Sequence, residues 1–372
     1  MQQIIEAGNH YEQLDEYLKE TKYKKLLLVC GGSIKYLEIG RYFDTLEDRL
    51  GIKVIRFSNF KPNPLYDSVE EGVKLLNAED CHLIVAVGGG SAMDVAKCIK
   101  LYSNMDHTQN YLKQTIVPND IEFMAVPTTA GTGSEATRFA VIYYEGEKQS
   151  VSDLSCIPSA ILVDPTVLET LPEYQRKATM MDALCHATES FWSVNANEES
   201  QKYAEEAIRL VLENYTGYLA NTKKGNAGML KASNIAGKAI NITQTTAGHA
   251  MCYKLTSLYG ISHGHAVALC VSKLFSYMIE HTEKCIDPRG REYLVDMFTR
   301  LAVAYGCDDP KSAVEKFDEL LGELKFEVPK AKDEDYEVLK CSVNPVRLKN
   351  NPVALDVNTI DILYRNILQC GN

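Results

Sequence analysis

The sequence predicts an α/β domain built on a parallel sheet, residues 1–165, followed by an all-helical domain, residues 166–372. Three observations carry this reading. Short β-rich runs alternate with amphipathic segments through the first part of the chain, the pattern of βαβ units. Those runs stop after Asp164. Beyond it, apolar residues recur at three- and four-residue spacing, as they do on helices that bury one face.

The β-rich runs are residues 26–29 (LLLV), 52–57 (IKVIRF), 83–87 (LIVAV), 123–126 (FMAV) and 160–164 (AILVD). Pro165 and the TVLETLP that follows mark the switch of pattern, which places the domain boundary there. Residues 201–220 (QKYAEEAIRLVLENYTGYLA) and 311–326 (KSAVEKFDELLGELKF) read as amphipathic helices. There is no internal repeat and no low-complexity tract.

Composition narrows the function classes. At 372 residues the chain exceeds the size at which one core stops growing, so two domains are expected. Hydrophobic residues at 45% and charged residues at 24% are those of a globular chain and exclude extensive disorder. A net charge of -11 argues against nucleic acid, because a phosphate backbone is held by clustered cations. The densest basic stretch, residues 19–25 (KETKYKK), reads as a solvated helix end. Eleven cysteines without a CxxC, and an N-terminus without secretory-signal character, point to reduced thiols and a cytoplasmic protein. No apolar run approaches the ~18 residues of a membrane span.

Strand 83–87 runs into Gly88-Gly89-Gly90-Ser91 and then a helix-forming run through Asp94 and Lys97. Glycines let backbone approach a ligand closely, and a helix N-terminus attracts an anion, so a pyrophosphate suits this turn. Alone, a GGGS turn is a weak signal. A second loop at the same end of the predicted sheet, Pro127-Thr128-Thr129-Ala130-Gly131-Thr132-Gly133-Ser134-Glu135, strengthens it, since ligands of open α/β sheets bind beyond the carboxyl ends of the strands. The first strand ends in Cys30-Gly31-Gly32-Ser33-Ile34-Lys35 with no carboxylate to repel a 2′-phosphate. That favours NADPH over NADH, with an ordinary glycine turn as the alternative.

In the helical half, Asp182 and His186 (MDALCHATES) are four residues apart and share a helix face. His249 and His263 follow, separated by a Tyr259-Gly260 break that lets two helices bring them to one point. Any one histidine reads more simply as a hydrogen-bonded core residue; the clustering of His186, His249, His263 and His265 favours a metal site. Three imidazoles and a carboxylate suit Fe²⁺ or Zn²⁺.

Together, Phe60-Lys61-Pro62-Asn63-Pro64, GGGSAMDVAK, PTTAGTGSEAT, MDALCHATES and the two histidine segments, in that order, resemble the iron-containing, or group III metal-dependent, alcohol dehydrogenase family. The resemblance covers most of the chain. It implies a Rossmann-like dinucleotide-binding domain, a helical metal domain of the dehydroquinate synthase-like kind, and a cleft for metal and nicotinamide. Position by position it implies the metal ligands Asp182, His186, His249 and His263. It implies cofactor contacts at Gly32, Ser33, Asn63, Gly89, Gly90, Ser91, Asp94, Thr128, Thr129, Thr132, Thr137 and Lys148. Many members carry a further histidine one turn after the third ligand; here that position is Tyr253. The proton donor is therefore open between Tyr253 and water with His265.

The segments KAINITQTTAGHAMCYKLTSLYGISHGHAVAL and DALCHATESFWSVNANEES are similar to the branch that reduces phosphonoacetaldehyde to 2-hydroxyethylphosphonate. Arg138 and Lys254 are the candidate phosphonate cations, and a structural role for each stays open. The implied enzyme is an aldehyde reductase acting on a small molecule, assembled as a homodimer or higher homo-oligomer. Reduction of another short aliphatic aldehyde, a dehydroquinate synthase-like cyclase, and a non-catalytic nucleotide-binding module remain the alternatives.

Overall fold

The computed structural model describes residues 2–370, which form two compact units. The first runs to Leu171 and also includes Asn221–Leu230; the second comprises Pro172–Ala220 and the chain from Lys231 onward. The first unit thus reaches past the boundary at 165, and side-chain amides tie in its detached piece. Asn226 Nδ2 donates to Pro165 O (3.3 Å) and Asn221 Nδ2 to Glu169 O (2.9 Å).

The first unit is built on a six-stranded parallel sheet in the order β1-β8-β5-β4-β2-β3. The strands are β1 (Gln3–Glu6), β2 (Lys25–Cys30), β3 (Lys53–Phe57), β4 (Leu83–Gly88), β5 (Glu122–Pro127) and β8 (Ala160–Val163). Every residue of β4 is buried, as the apolar run requires of a parallel strand covered on both faces. Its helices are α1 (Glu12–Thr21), α2 (Glu38–Asp44), α3 (Leu46–Leu50), α4 (Tyr66–Ala78) and α5 (Gly90–Tyr102).

Two elements of this unit left no readable pattern. Strand β1 has four residues and buries only Ile5. An antiparallel hairpin, β6 (Phe139–Tyr144) with β7 (Glu147–Ser152), turns at Glu145 (φ 52) and Gly146 (φ 79), both left-handed as a tight hairpin turn requires.

The second unit is formed by α6 (Glu173–Trp192), α7 (Glu198–Leu219), most of α8 (Lys223–Thr243), α9 (Ala247–Tyr259), α10 (His263–Glu280), α11 (Arg291–Ala304), α12 (Pro310–Glu323), α13 (Asp333–Ser342), α14 (Pro345–Leu348) and α15 (Val357–Ile367). It is not entirely helical: β9 (Lys330–Ala331) pairs in parallel with β10 (Gln369–Cys370), strands too short for any sequence period to reveal. Helix α6 is its axis, buried from Met180 to Trp192 and packed against α7 and α10. A helix apolar on all sides belongs in a core, so the polar Asp182, His186 and Glu189 on it call for a compensating arrangement. No helix among the described residues is long and apolar enough to cross a membrane.

Candidate functional site

In the first unit, β4 and β5 pair in register to their last residues, Gly88 opposite Pro127, so the two glycine-rich loops start side by side. Thr128 N–H donates to Gly88 O (3.0 Å). A Cβ on Gly89 would lie 3.1 Å from Thr129 Cγ2, and one on Gly90 3.3 Å from Thr132 Cγ2, so a side chain at either position would close the cradle. No side chain caps the start of α5, leaving first-turn amides for an anion. These features fit a dinucleotide pyrophosphate.

The remaining predicted cofactor residues divide by strand. Gly32 and Ser33 lie exposed in the turn after β2, Asn63 lies exposed with φ 58 between β3 and α4, and Ser91 is half-buried in the first turn of α5. Together with the loops after β4 and β5, these segments follow four strands that are consecutive in the sheet. Lys148 is on the hairpin, paired with Tyr143, and its charge acts on Asp94. Burial pushes the Asp94 carboxyl up to about 6, with Lys97 opposing the shift.

Lys97, three residues after Asp94 on α5, serves these loops from within the fold. It is 0% exposed, and its ammonium donates to Ser134 O (2.7 Å) and Oγ (3.0 Å), Thr137 O (2.8 Å) and Oγ1 (3.1 Å), and Phe139 O (2.7 Å). One buried charge thus fastens the second loop, with Thr132 and Thr137, to the helix that begins at the first loop.

In the second unit, α6 presents Asp182 and His186 on one face, and α9 ends at Gly260 (φ 67) so that α10 can begin at His263. His249 Nε2, His263 Nε2 and His186 Nε2 lie 3.6, 3.7 and 4.0 Å from Asp182 Oδ1. One ligand atom from each of Asp182, His249 and His263 falls within 4.8 Å of the others, and the His186 ring stacks on His249 at 4.5 Å. The approach of α10 to α6 depends on Gly264, where a side chain would collide with the Ala178 carbonyl oxygen and lie 3.0 Å from Asp182 Cβ.

Asp182 Oδ1 and His249 Nε2 are buried without a hydrogen-bond partner. Two such atoms 3.6 Å apart cost free energy unless something sits between them, and a divalent cation fits both. Burial pushes Asp182 up, but His186, His263 and His249 outweigh it and hold the carboxyl below the usual range. Burial pushes His249 down, while Glu189 and Asp182 draw it up to about 9.

Glu189 is the feature that sequence reading missed here. Fully buried, it accepts from Thr246 Oγ1 (2.6 Å), Gly248 N–H (2.8 Å) and His249 N–H (3.3 Å), and its other oxygen takes His249 Nδ1. That bond fixes the ring and aims Nε2 at Asp182. The signal was its place seven residues after Asp182, on the same helix face.

Tyr253 stacks on His263 (5.7 Å, 16° between planes), with the Arg347 guanidinium 5.2 Å from its ring centre. Burial pushes its hydroxyl above the usual tyrosine value, with Arg347 opposing. His265 is committed elsewhere. Tyr174 Oη accepts from Ser262 N–H (2.9 Å) and shares a hydrogen bond with His265 Nδ1 (3.0 Å), while the His265 imidazole stacks on Phe326 at 4.2 Å. Burial pushes His265 down to about 4. Arg138, in the first unit, lies over its neighbour Phe139, and Lys254 is one residue round the helix from the face that carries His249 and Tyr253.

A family model described as iron-containing alcohol dehydrogenase matches residues 2–165, and one described as Fe-containing alcohol dehydrogenase family, C-terminal, matches residues 177–368. Aldehyde-alcohol dehydrogenase 2 of Entamoeba histolytica is 31% identical over 334 residues, 83% of this chain but 38% of the relative, so this chain spans less than half of that protein. Phosphonoacetaldehyde reductase of Streptomyces viridochromogenes is 30% identical over 309 residues, 78% of this chain and 77% of the relative. The solved sulfoacetaldehyde reductase from Bifidobacterium kashiwanohense in complex with NAD+ has the same fold, with a TM-score of 0.87 over 98% of this chain and 96% of that one at 24% identity.

Proposed function

The chain belongs to the iron-containing alcohol dehydrogenase family, and from that premise we propose that it is a nicotinamide- and divalent-metal-dependent aldehyde reductase. The observation that carries the reading is the convergence of Asp182, His249 and His263, with His186 beside them and two buried ligand atoms left without hydrogen-bond partners. Bound Fe²⁺ or Zn²⁺ supplies Lewis acidity to a carbonyl oxygen, and a reduced nicotinamide supplies hydride to the carbonyl carbon.

The chain's own residues do the rest. Gly89 and Gly90 leave room for the pyrophosphate, Lys97 holds the threonine loop, and Glu189 orients His249. Ser91, Asp94, Thr128, Thr129, Thr132, Thr137, Asn63 and Lys148 are the proposed nucleotide contacts. Gly32 and Ser33, with no acidic residue between Cys30 and Tyr36, support a preference for NADPH. Tyr253 Oη, against the His263 ring, holds the proton that the product oxygen takes up. His265 is neutral at ordinary pH, and its bond to Tyr174 suits it to positioning the turn before His263.

The substrate we favour is phosphonoacetaldehyde, giving 2-hydroxyethylphosphonate; the 30% identity to a phosphonoacetaldehyde reductase supports it. Another short aliphatic aldehyde is the second reading. The test is an aldehyde panel with NADPH and with NADH, before and after chelation. Net NADPH oxidation that chelation abolishes, with dinucleotide still bound, is expected. A cofactor restored within each turnover would instead indicate a cyclase, and turnover that survives complete chelation would refute the metal's role. Light scattering after size exclusion tests the expected homo-oligomer.

A further inference from the structure

We propose that Arg347 is the specificity-determining residue of the metal centre, and that it selects short aldehydes bearing a compact oxyanion, a phosphonate or a sulfonate. This rests on the aldehyde reductase reading and deepens it. The anion's partner is then neither Arg138 nor Lys254 but a residue 84 positions beyond His263 in sequence.

Position is the first argument. Arg347 stands on α14, which packs against α9, the helix that carries His249 and Tyr253. Its guanidinium carbon lies 5.2 Å from the centre of the Tyr253 ring, and that ring stacks at 5.7 Å on His263. Arg347 is therefore one aromatic ring removed from a metal-centre imidazole. The stack also makes the placement rigid, since the tyrosine is held by the histidine and the arginine by the tyrosine.

Charge is the second. Among the described residues the Arg347 side chain forms no ion pair, and its guanidinium makes one hydrogen bond, from Nη1 to Thr245 Oγ1 (3.3 Å). A guanidinium carries five N–H donors, so most of its hydrogen-bonding capacity is uncommitted. Asp182 and Glu189 are the buried carboxylates of the centre, and a divalent cation balances both. The positive charge of Arg347 is then left over, and a half-buried cation without a counter-charge favours a substrate that brings one.

Chemistry is the third. The planar fork of a guanidinium matches two oxygens of a tetrahedral oxyanion, whereas it offers a methyl group nothing. With the aldehyde oxygen at the metal centre and the oxyanion at Arg347, the two ends of a two-carbon substrate would be fixed, and Tyr253 would line the path between them. A neutral aldehyde of equal length would gain only the first contact.

The competing role is a buttress, in which Arg347 merely holds Tyr253 and Thr245 in place. Two substitutions separate these roles, Arg347→Gln and Arg347→Lys, each in the metal-loaded protein. The kcat/KM values for phosphonoacetaldehyde, sulfoacetaldehyde and uncharged propionaldehyde are compared with calorimetric binding of ethylphosphonate and ethanesulfonate, which need no turnover. The expected result is that Arg347→Gln lowers kcat/KM for the anionic aldehydes about 100-fold more than for propionaldehyde, the usual scale of a lost charge-assisted contact. Ethylphosphonate binding is lost with it, and Arg347→Lys recovers part of both. Which of the two oxyanions is preferred identifies the natural head group. An equal fall for charged and uncharged aldehydes would establish the buttress and overturn the proposal, as would a wild-type protein indifferent to the anion. If the wild type reduces no aldehyde, the reductase reading fails. Binding of ethylphosphonate that Arg347→Gln abolishes would still show that the anion site is real.

Discussion

Replacing Lys97 with methionine keeps the length of the side chain and removes its charge. The wild-type ammonium sits at 0% exposure among five oxygens from Ser134, Thr137 and Phe139. An ammonium has three N–H donors, and each hydrogen bond to a charged group contributes about 1.5–3 kcal/mol, so the gross loss is roughly 5–9 kcal/mol. Relief of the buried charge returns several kcal/mol, leaving a net destabilisation of about 3 kcal/mol. The loss is local, because the loop at 131–139 is fastened to α5 by this group. The single tryptophan, Trp192, lies in the second unit, so its fluorescence is a poor reporter of the change. Amide hydrogen exchange of peptides covering 131–142, followed by mass spectrometry, reads it directly. Exchange there should speed by about 100-fold, and NADPH affinity should fall at least tenfold while metal content is unchanged. Unaltered exchange with unaltered NADPH affinity would refute the clamp.

Glu189→Gln should weaken metal binding by about 10–100-fold in competition with a chelator, because the amide cannot take the His249 Nδ1 proton as a carboxylate does; dinucleotide affinity should stay the same. Gly264→Ala should destabilise the second unit by about 1–3 kcal/mol in urea unfolding followed through Trp192, since the added methyl meets the Ala178 carbonyl; metal occupancy should fall in parallel. For Asp94, the ordinary carboxyl value is 3.8 and the folded value about 6, so the native state binds more protons between them. Its contribution is fully present below the lower value and is lost as pH rises through about 6, with a slope approaching about 1.4 kcal/mol per pH unit. Asp94→Asn should flatten the stability profile of the nucleotide-free protein over that interval, and an unchanged profile would show that the carboxyl is not perturbed.

Much of the architecture is written locally. Strands β2 to β5 and β8 were legible because each is an apolar run bounded by turn residues, and α7 and α12 because their apolar faces recur with the helical period. Strand β1, the β6–β7 hairpin and the β9–β10 pair were not: they are short, or mixed in burial, and show no period long enough to read. The first unit's hold on Asn221–Leu230 also escaped, since it depends on Asn226 and Asn221 reaching back to Pro165 and Glu169.

The chemical vocabulary of the site is written in short stretches of chain: two glycine-rich loops after strands, a carboxylate and an imidazole one helical turn apart, and two more histidines across a glycine break. Residue type and local spacing are enough for that, because capping, turn formation and helix facing are short-range effects. Tertiary structure alone decided which groups serve those residues. Glu189 reaches His249 across 60 positions, Lys97 reaches Phe139 O across 42, and Arg347 reaches Thr245 across 102. Such partners are set by how α5 meets its loop, how α10 crowds α6 at Gly264, and how α14 lies on α9. These are outcomes of packing, in which side chains distant in sequence satisfy buried charges that local structure leaves without partners.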